Sequence, residues 1–212
     1  MAHAVEPTPH AEEEYTTTGL NHRKLLMWVF LGSDCMFFGA LIATYMVYRG
    51  QSLNGPYPID IIDVPITTIS TFVLLCSSFS MVQALSATNR NDQKGIRIWL
   101  MTTAILGSIF IGFQIFEFTT FYKEGLTLGV NLFGATFFTL TGFHGAHVTL
   151  GIVWLLVMFV LALKGRLGPS TSLDVEILGL YWHFVDIVWI VIFTLLYLIG
   201  GFDVGPVPPS GG

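Results

Sequence analysis

The stretch Tyr181-Trp182-His183-Phe184-Val185-Asp186-Ile187-Val188-Trp189 places a histidine and an aspartate three residues apart within an apolar run from about Leu178 to Gly200. A run of this length is sufficient for a helix across ~30 Å of hydrocarbon. A charged side chain near the centre of such a helix costs roughly 2.5–3.5 kcal/mol on insertion scales. The stretch therefore predicts a membrane helix whose polar residues need partners. Its two tryptophans are seven residues apart and should share a packing face.

The composition assigns the whole chain to the membrane class. Of its 212 residues, 53% are hydrophobic and only 11% are charged, whereas a soluble domain is typically about 25% charged. The net charge of −5 argues against binding to nucleic acid, which attracts basic surfaces. Cys35 and Cys76 both lie in apolar runs. We therefore expect neither a disulfide nor a CxxC metal site.

Apolar segments long enough to cross a membrane recur along the chain. They lack the alternation of apolar and polar residues that membrane strands require. The sequence therefore predicts an all-α, polytopic membrane helix bundle of five transmembrane helices. The segments run from about Leu25 to Tyr48, Pro65 to Ala87, Ile98 to Phe121, Leu132 to Leu163 and Ile177 to Ile199. Small-residue pairs such as Gly32/Gly39 and Gly142/Gly145 offer surfaces on which helices can approach closely.

The basic residues predict the orientation of the bundle. Only Arg49 and Lys123 fall on one side of a five-span arrangement, and the other seven of the nine Lys and Arg residues fall on the opposite side. Cytoplasmic loops carry the excess of Lys and Arg. We therefore predict an N-terminus inside and a C-terminus outside. Residues 1–23 form a polar cytoplasmic tail, 24–200 the transmembrane domain and 201–212 a Pro/Gly-rich external tail.

Seven ionisable residues lie within or at the edges of these spans. The pairs His144/His147 and His183/Asp186 each have i, i+3 spacing, which places both members on one helix face. A polar face turned to lipid would be left unsatisfied, so these faces should turn inward. Within the set, Asp186 is the expected anionic partner of His183. We predict an interior polar network formed by Asp34, His144, His147, His183 and Asp186, with Glu117 and Glu176 near its ends.

Three roles suit such a set. Histidines in a membrane bundle can hold a metal or a haem, but no interhelical bis-histidine pattern or cysteine ligand set is evident. Chains of Asp, Glu and His can relay protons, although these residues do not form a column along one helix. The third role is structural, in which interior hydrogen bonds worth about 0.6–2 kcal/mol each fix the helix packing. The residues alone favour the structural role.

The opening stretch, with Glu176 upstream of it, resembles the last-helix signature of the haem–copper oxidase subunit III family (cytochrome c oxidase subunit 3). Three further stretches resemble elements of that family in the same order, and the resemblance covers roughly residues 24–200. They are Leu31-Gly32-Ser33-Asp34-Cys35-Met36-Phe37-Phe38, Gln114-Ile115-Phe116-Glu117-Phe118 and Thr141-Gly142-Phe143-His144-Gly145-Ala146-His147-Val148.

The resemblance implies a non-catalytic subunit of a respiratory cytochrome c oxidase in a prokaryotic plasma membrane. Such a subunit carries no haem, no copper and no catalytic centre, because these belong to partner subunits. It packs against the haem–copper subunit I, in a complex with subunit II and other oxidase subunits. It binds phospholipid and supports oxygen reduction coupled to proton pumping. The alternatives are a subunit III-like component of a quinol oxidase or nitric oxide reductase, and a free-standing proton-conducting membrane protein.

The sequence departs from the family pattern at three points. The family often has seven helices, whereas the five predicted here match its short bacterial form, which lacks the first two. Asp34 stands where the family commonly has glutamate, so its carboxylate arm is shorter by one methylene. Some relatives carry a lipid-contacting histidine shortly before the residue equivalent to Glu176. Ser172 stands near that place, so this role is not expected here.

Overall fold

The computed structural model describes residues 19, 21–49 and 63–199. Five long helices form from these residues, and each is long and apolar enough to cross a membrane, which confirms the predicted fold. The predicted tails lie almost entirely outside the described residues. The helices are α1 (His22–Tyr48), α2 (Val64–Asn89), α3 (Gln93–Lys123), α4 (Leu132–Leu163) and α5 (Ser172–Ile192). A 3₁₀ turn, Pro169–Thr171, precedes α5, and a π-helical segment, Phe193–Ile199, continues it.

Side-chain caps fix where four of the helices begin. The side-chain oxygens of Asn21, Asp63, Asp92 and Asn131 each accept a hydrogen bond from a backbone N–H in the first turn of the following helix. Such caps satisfy N–H groups that have no partner within the helix. Because of its cap, α3 begins at Gln93, five residues before the apolar run that predicted it.

The helices form a bundle in which α5 is central. Helices α2, α3 and α4 pack in sequence, and α5 lies against both α2 and α4. Helix α1 packs on α4 and α5. Helices α4 and α5 each pack against three other helices, and more than half of the α5 residues are buried.

The two tryptophans of α5 do share a packing face. Both are buried, and each indole donates a hydrogen bond to a hydroxyl of α2: Trp182 to Ser77 and Trp189 to Thr71, both at 2.9 Å. The Trp182 ring fills the space between α3 and α4 that two glycines leave open. A Cβ atom at Gly107 would lie 2.6 Å from Trp182 Cη2, and one at Gly151 would lie 2.8 Å from Cζ3.

Candidate functional site

The seven predicted polar residues occupy separate positions in the bundle and do not form one network. Of these seven, only Asp34 and His147 contact each other directly. The other five make local contacts with different helices or lack a hydrogen-bond partner. The predicted single network is therefore wrong in its connectivity, although most of the residues do face the interior as expected.

Asp34 and His147 join α1 to α4. His147 Nε2 lies 3.7 Å from Asp34 Oδ2, with 20% of the histidine side chain and 13% of the aspartate side chain exposed. His147 Nδ1 lies 2.7 Å from the carbonyl oxygen of Phe143. A carbonyl oxygen can only accept, so Nδ1 carries a proton. An attractive contact with Asp34 then requires a second proton, either on Nε2 or on the carboxyl group.

His144 joins α4 to α5 and is fully buried. Its Nε2 lies 3.2 Å from the carbonyl oxygen of Val185, to which it donates. Its ring stacks on Trp189 with centroids 4.8 Å apart, and Phe110 packs edge-on at 5.9 Å. The Nδ1 atom has no hydrogen-bond partner. These surroundings are those of a packed core histidine.

His183 contacts α2 and not Asp186. Its Nδ1 lies 2.5 Å from Ser78 Oγ. Asp186 is only 3% exposed, and neither of its carboxylate oxygens has a hydrogen-bond partner. The Ser78 side chain also interacts with Asp186, so this serine lies between the two residues. The expected pairing of His183 with Asp186 is therefore wrong. The i, i+3 spacing places both side chains on the face of α5 that packs against α2, and there His183 contacts the Ser78 hydroxyl.

Glu117 forms the most complete buried contact of the set. It is 8% exposed, and both of its carboxylate oxygens accept hydrogen bonds. Thr67 Oγ1 of α2 donates to Oε1 at 2.8 Å, and the Tyr197 hydroxyl of the π-helical segment donates to Oε2 at 2.9 Å. This cluster joins α3 to α2 and to the end of the last helix. Nearby, Arg49 donates to the carbonyl oxygen of Ile199 at 2.9 Å and thereby connects α1 to the same end.

Glu176 belongs to a pair of ion pairs at the other end of the bundle. Lys24 Nζ lies 2.5 Å from Glu176 Oε1, and Arg23 lies 2.5 Å from Asp174 Oδ1. Both pairs connect the first turn of α1 to the first turns of α5. The side chains are between about a quarter and three-fifths exposed, and exposed ion pairs of this kind contribute about 0–1 kcal/mol each.

Sequence reasoning missed the hydroxyl groups of α2, and it placed Gln114 on an inward-facing side of its helix without naming a partner. Ser77, Ser78 and Thr71 supply partners for the polar atoms of α5. The amide of Gln114 donates from Nε2 to the carbonyl oxygen of Thr141 at 2.7 Å. The recurrence of Ser and Thr along α2 was a usable signal, because polar residues of a membrane helix tend to face its neighbours.

The described residues contain no group of three His, Cys, Asp or Glu side chains close enough together to hold a metal ion. The polar side chains are engaged singly or in pairs, and most of their partners lie on a different helix. Chemically, this arrangement suits the joining of helices inside a membrane.

Comparison with known proteins gives matches along nearly the whole chain. A family model described as cytochrome c oxidase subunit III matches residues 10–201. The quinol oxidase subunit 3 of Bacillus spizizenii is 40% identical over 200 residues, which cover 94% of this chain and 98% of that protein. The protein of the same name from Bacillus subtilis is 39% identical with the same coverage. The cytochrome c oxidase subunit 3 of Bacillus sp. (strain PS3) is 34% identical over 195 residues, 92% of this chain and 94% of that protein.

Proposed function

Because this chain belongs to the cytochrome c oxidase subunit III family, we propose that it acts as the non-catalytic, accessory subunit of a respiratory haem–copper oxidase. The match through all five helices is the observation that carries this proposal. A multi-pass membrane chain of this family is part of an oxygen-reducing oxidase complex. The haem and copper of that complex belong to the partner subunits, and no catalytic residue is assigned to this chain.

In this proposal the chain packs against the haem–copper subunit I, within a complex that also contains subunit II, and supports oxygen reduction coupled to proton pumping. The interior contacts favour such a role because they hold five helices in one fixed arrangement. A rigid helix face can bind a neighbouring subunit without further ordering. In a loosely packed bundle, the helices would have to become ordered on binding, and this cost in conformational entropy would weaken the complex. Phospholipid fills the parts of the membrane-facing surface that no subunit covers.

The electron donor is either quinol or cytochrome c, and the relatives favour quinol. Cytochrome c was the donor expected from the resemblance. However, the two Bacillus relatives at 40% and 39% identity are named quinol oxidase subunits, whereas three relatives named cytochrome c oxidase subunit 3 are 34–35% identical. Copper analysis of the separated subunits distinguishes the two donors, because copper on subunit II, in addition to the copper of subunit I, would indicate cytochrome c. Oxygen uptake with a reduced quinol and not with reduced cytochrome c is the expected result.

The proposed setting is the plasma membrane of a prokaryote, with the N-terminus inside. Five spans place the two ends of the described bundle on opposite sides, and the basic residues Arg23 and Lys24 stand at the start of α1. Cytoplasmic ends carry such residues in excess. Labelling of a cysteine introduced at Gln93 with a membrane-impermeant thiol reagent in intact cells tests the orientation. If this cysteine reacts only after the cells are broken, the loop before α3 lies inside, as the predicted orientation requires.

Purification of a tagged chain from its native membrane tests the proposed function. We expect it to bring with it a haem- and copper-containing subunit, and we expect the oxidase prepared without it to lose oxygen-reducing activity faster during turnover. Stoichiometric haem or copper on the isolated chain would overturn the non-catalytic assignment. Reconstitution of the chain alone in vesicles tests the alternative that it is a free-standing proton conductor. Proton flux that depends on Asp34 or Asp186 would favour a free-standing proton conductor.

A further inference from the structure

A buried carboxyl group lies deep in the last helix, next to a serine and a histidine. Asp186 stands fourteen residues after the start of α5 at Ser172, which is about 21 Å along the helix axis. It is 3% exposed, and neither of its side-chain oxygens makes a well-formed hydrogen bond. The Ser78 side chain of α2 interacts with it, and Ser78 Oγ lies 2.5 Å from His183 Nδ1. The three side chains therefore form one polar cluster between α2 and α5.

No positive charge balances Asp186 within the part of the chain that the structure describes. The ion pairs formed there by Lys, Arg and His side chains do not include it. Helix α2, which packs against this face of α5, contains Cys76 as its only ionisable residue between Asp63 and Arg90. The neighbouring helix therefore offers Asp186 hydroxyl groups but no cation.

The acidic and histidine side chains of the other helices are also engaged elsewhere. His144 Nε2 of α4 donates to the carbonyl oxygen of Val185, the residue before Asp186, while Nδ1 has no hydrogen-bond partner. This fully buried imidazole is neutral, because a second N–H without an acceptor would be costly to bury. The remaining members of this group in α1, α3 and α4 have partners other than Asp186: Asp34, Glu117 and His147.

A carboxylate at this place would be an unpaired charge in the membrane interior. Bulk water is absent there, and burial of an unpaired charge costs far more than burial of the neutral acid. A protonated carboxyl group can also use its neighbour, since its O–H can donate to Ser78 Oγ while the serine hydrogen is donated onward. The acceptor of that hydrogen is His183 Nδ1, so the proton of this ring lies on Nε2.

We propose that Asp186 binds a proton within the membrane, and that this proton exchanges with the surface of the bundle through Ser78 and His183. Asp186 is buried whereas Ser78 and His183 are only partly buried, so the chain of hydrogen bonds leads outward. When His183 Nε2 releases its proton, the Ser78 hydrogen moves to Nδ1 and the Asp186 proton moves to Ser78 Oγ. The reverse steps restore the carboxyl group. Exchange at one surface differs from conduction across the membrane, and it requires no partner subunit.

Infrared spectra of the full chain test whether Asp186 carries a proton at neutral pH. The chain is measured in a detergent without carbonyl groups, where the C=O band of a protonated carboxyl group is separate from amide and carboxylate bands. The wild-type spectrum minus that of Asp186→Asn should show one such band. Asp174→Asn is the matched control and should show none, because Asp174 is about one-third exposed and pairs with Arg23. If D186N loses only carboxylate bands, Asp186 is ionised and the inference is overturned.

The rate at which this band responds to deuterium tests the path through Ser78. Ser78→Ala should keep the band but move it to higher wavenumber, because the carboxyl group loses its acceptor. After transfer to D₂O, the band should shift about ten-fold or more slowly than in wild type, because a positioned proton donor and acceptor has been removed. Ser80→Ala is the matched control, since Ser80 is buried in the same helix but donates to the carbonyl oxygen of Cys76. A wild-type exchange rate in S78A would overturn the path.

A variant at the outer end of the path completes the test. His183→Phe removes both ring nitrogens, so exchange at Asp186 should slow as it does in S78A, and an unchanged rate would contradict the role of the histidine. If D186N does not accumulate in a folded form, ¹³C labelling of aspartate carboxyl groups in an Asp34→Asn chain keeps the test decisive. A carboxyl band that shifts with the label supports the inference, and its absence overturns it. The proposed accessory function is unaffected by either result, because these spectra are taken on the chain alone.

Discussion

Removing the Tyr197 hydroxyl tests whether the Glu117 cluster holds the end of the last helix in place. Tyr197 is 1% exposed and donates to Glu117 Oε2 at 2.9 Å. Tyr197→Phe therefore leaves a buried carboxylate oxygen without a partner while it changes the packing volume very little. Hydrogen bonds to charged groups contribute about 1.5–3 kcal/mol, and interhelical hydrogen bonds in membranes contribute up to about 1.7 kcal/mol. We expect Y197F to lower the free energy of unfolding by about 1–2 kcal/mol.

The free energy of unfolding can be measured on the purified chain in mixed micelles by titration with dodecyl sulfate, followed by tryptophan fluorescence. Tyr122→Phe is the matched control, because Tyr122 is 70% exposed and should show a change below about 0.5 kcal/mol. The decisive comparison is Y197F in a Glu117→Leu background, where the tyrosine hydroxyl no longer has its acceptor. There the substitution should be neutral or slightly stabilising. An equal loss of stability in both backgrounds would refute the hydrogen-bond argument.

Three other substitutions follow from the packing and the ion pairs. Gly107→Val should destabilise the chain by about 1–3 kcal/mol because its Cβ atom would meet Trp182 at 2.6 Å, whereas Gly112→Val should be tolerated; the yield of folded chain in the membrane checks both. Asp186→Leu should leave stability in the dodecyl sulfate titration unchanged or raise it by about 1–3 kcal/mol, because it removes a buried carboxyl group that has no well-formed hydrogen bond. Lys24→Gln should cost less than about 1 kcal/mol in the same titration, with the difference from wild type shrinking in high salt.

The sequence was sufficient to predict the five spans, and the errors are concentrated at polar helix ends. Hydropathy detects the part of a helix that lies in hydrocarbon, so α4 was predicted with its observed bounds of Leu132 and Leu163. A helix can continue into the polar region wherever its backbone is capped. Asp92 accepts from the N–H of Gly95 at 3.0 Å and extends α3 back to Gln93. Here a local capping signal was available in the sequence but hydropathy does not register it.

The sequence predicted which polar residues face the interior but not which groups they contact. Depth and helical face follow from spacing along one helix, whereas a partner depends on how two helices are rotated and shifted relative to each other. His183 thus meets the Ser78 hydroxyl although Asp186 is closer in sequence. The contact between Tyr197 and Glu117 also depends on a π-helical segment, whose i→i+5 hydrogen bonding changes the direction of the side chains that follow. No residue pattern in this stretch indicated that change.

Asp186 and Gln114 each contain buried acceptor oxygens without a well-formed hydrogen bond. Asp186 lies between α5 and α2, beside the Ser78 side chain that contacts His183. Gln114 lies between α3 and α4, where its amide nitrogen donates to the carbonyl oxygen of Thr141 and a Cβ atom at Gly145 would lie 2.8 Å from Oε1. Both residues are enclosed by neighbouring helices, so a donor on another molecule could reach either acceptor only if these helices separated.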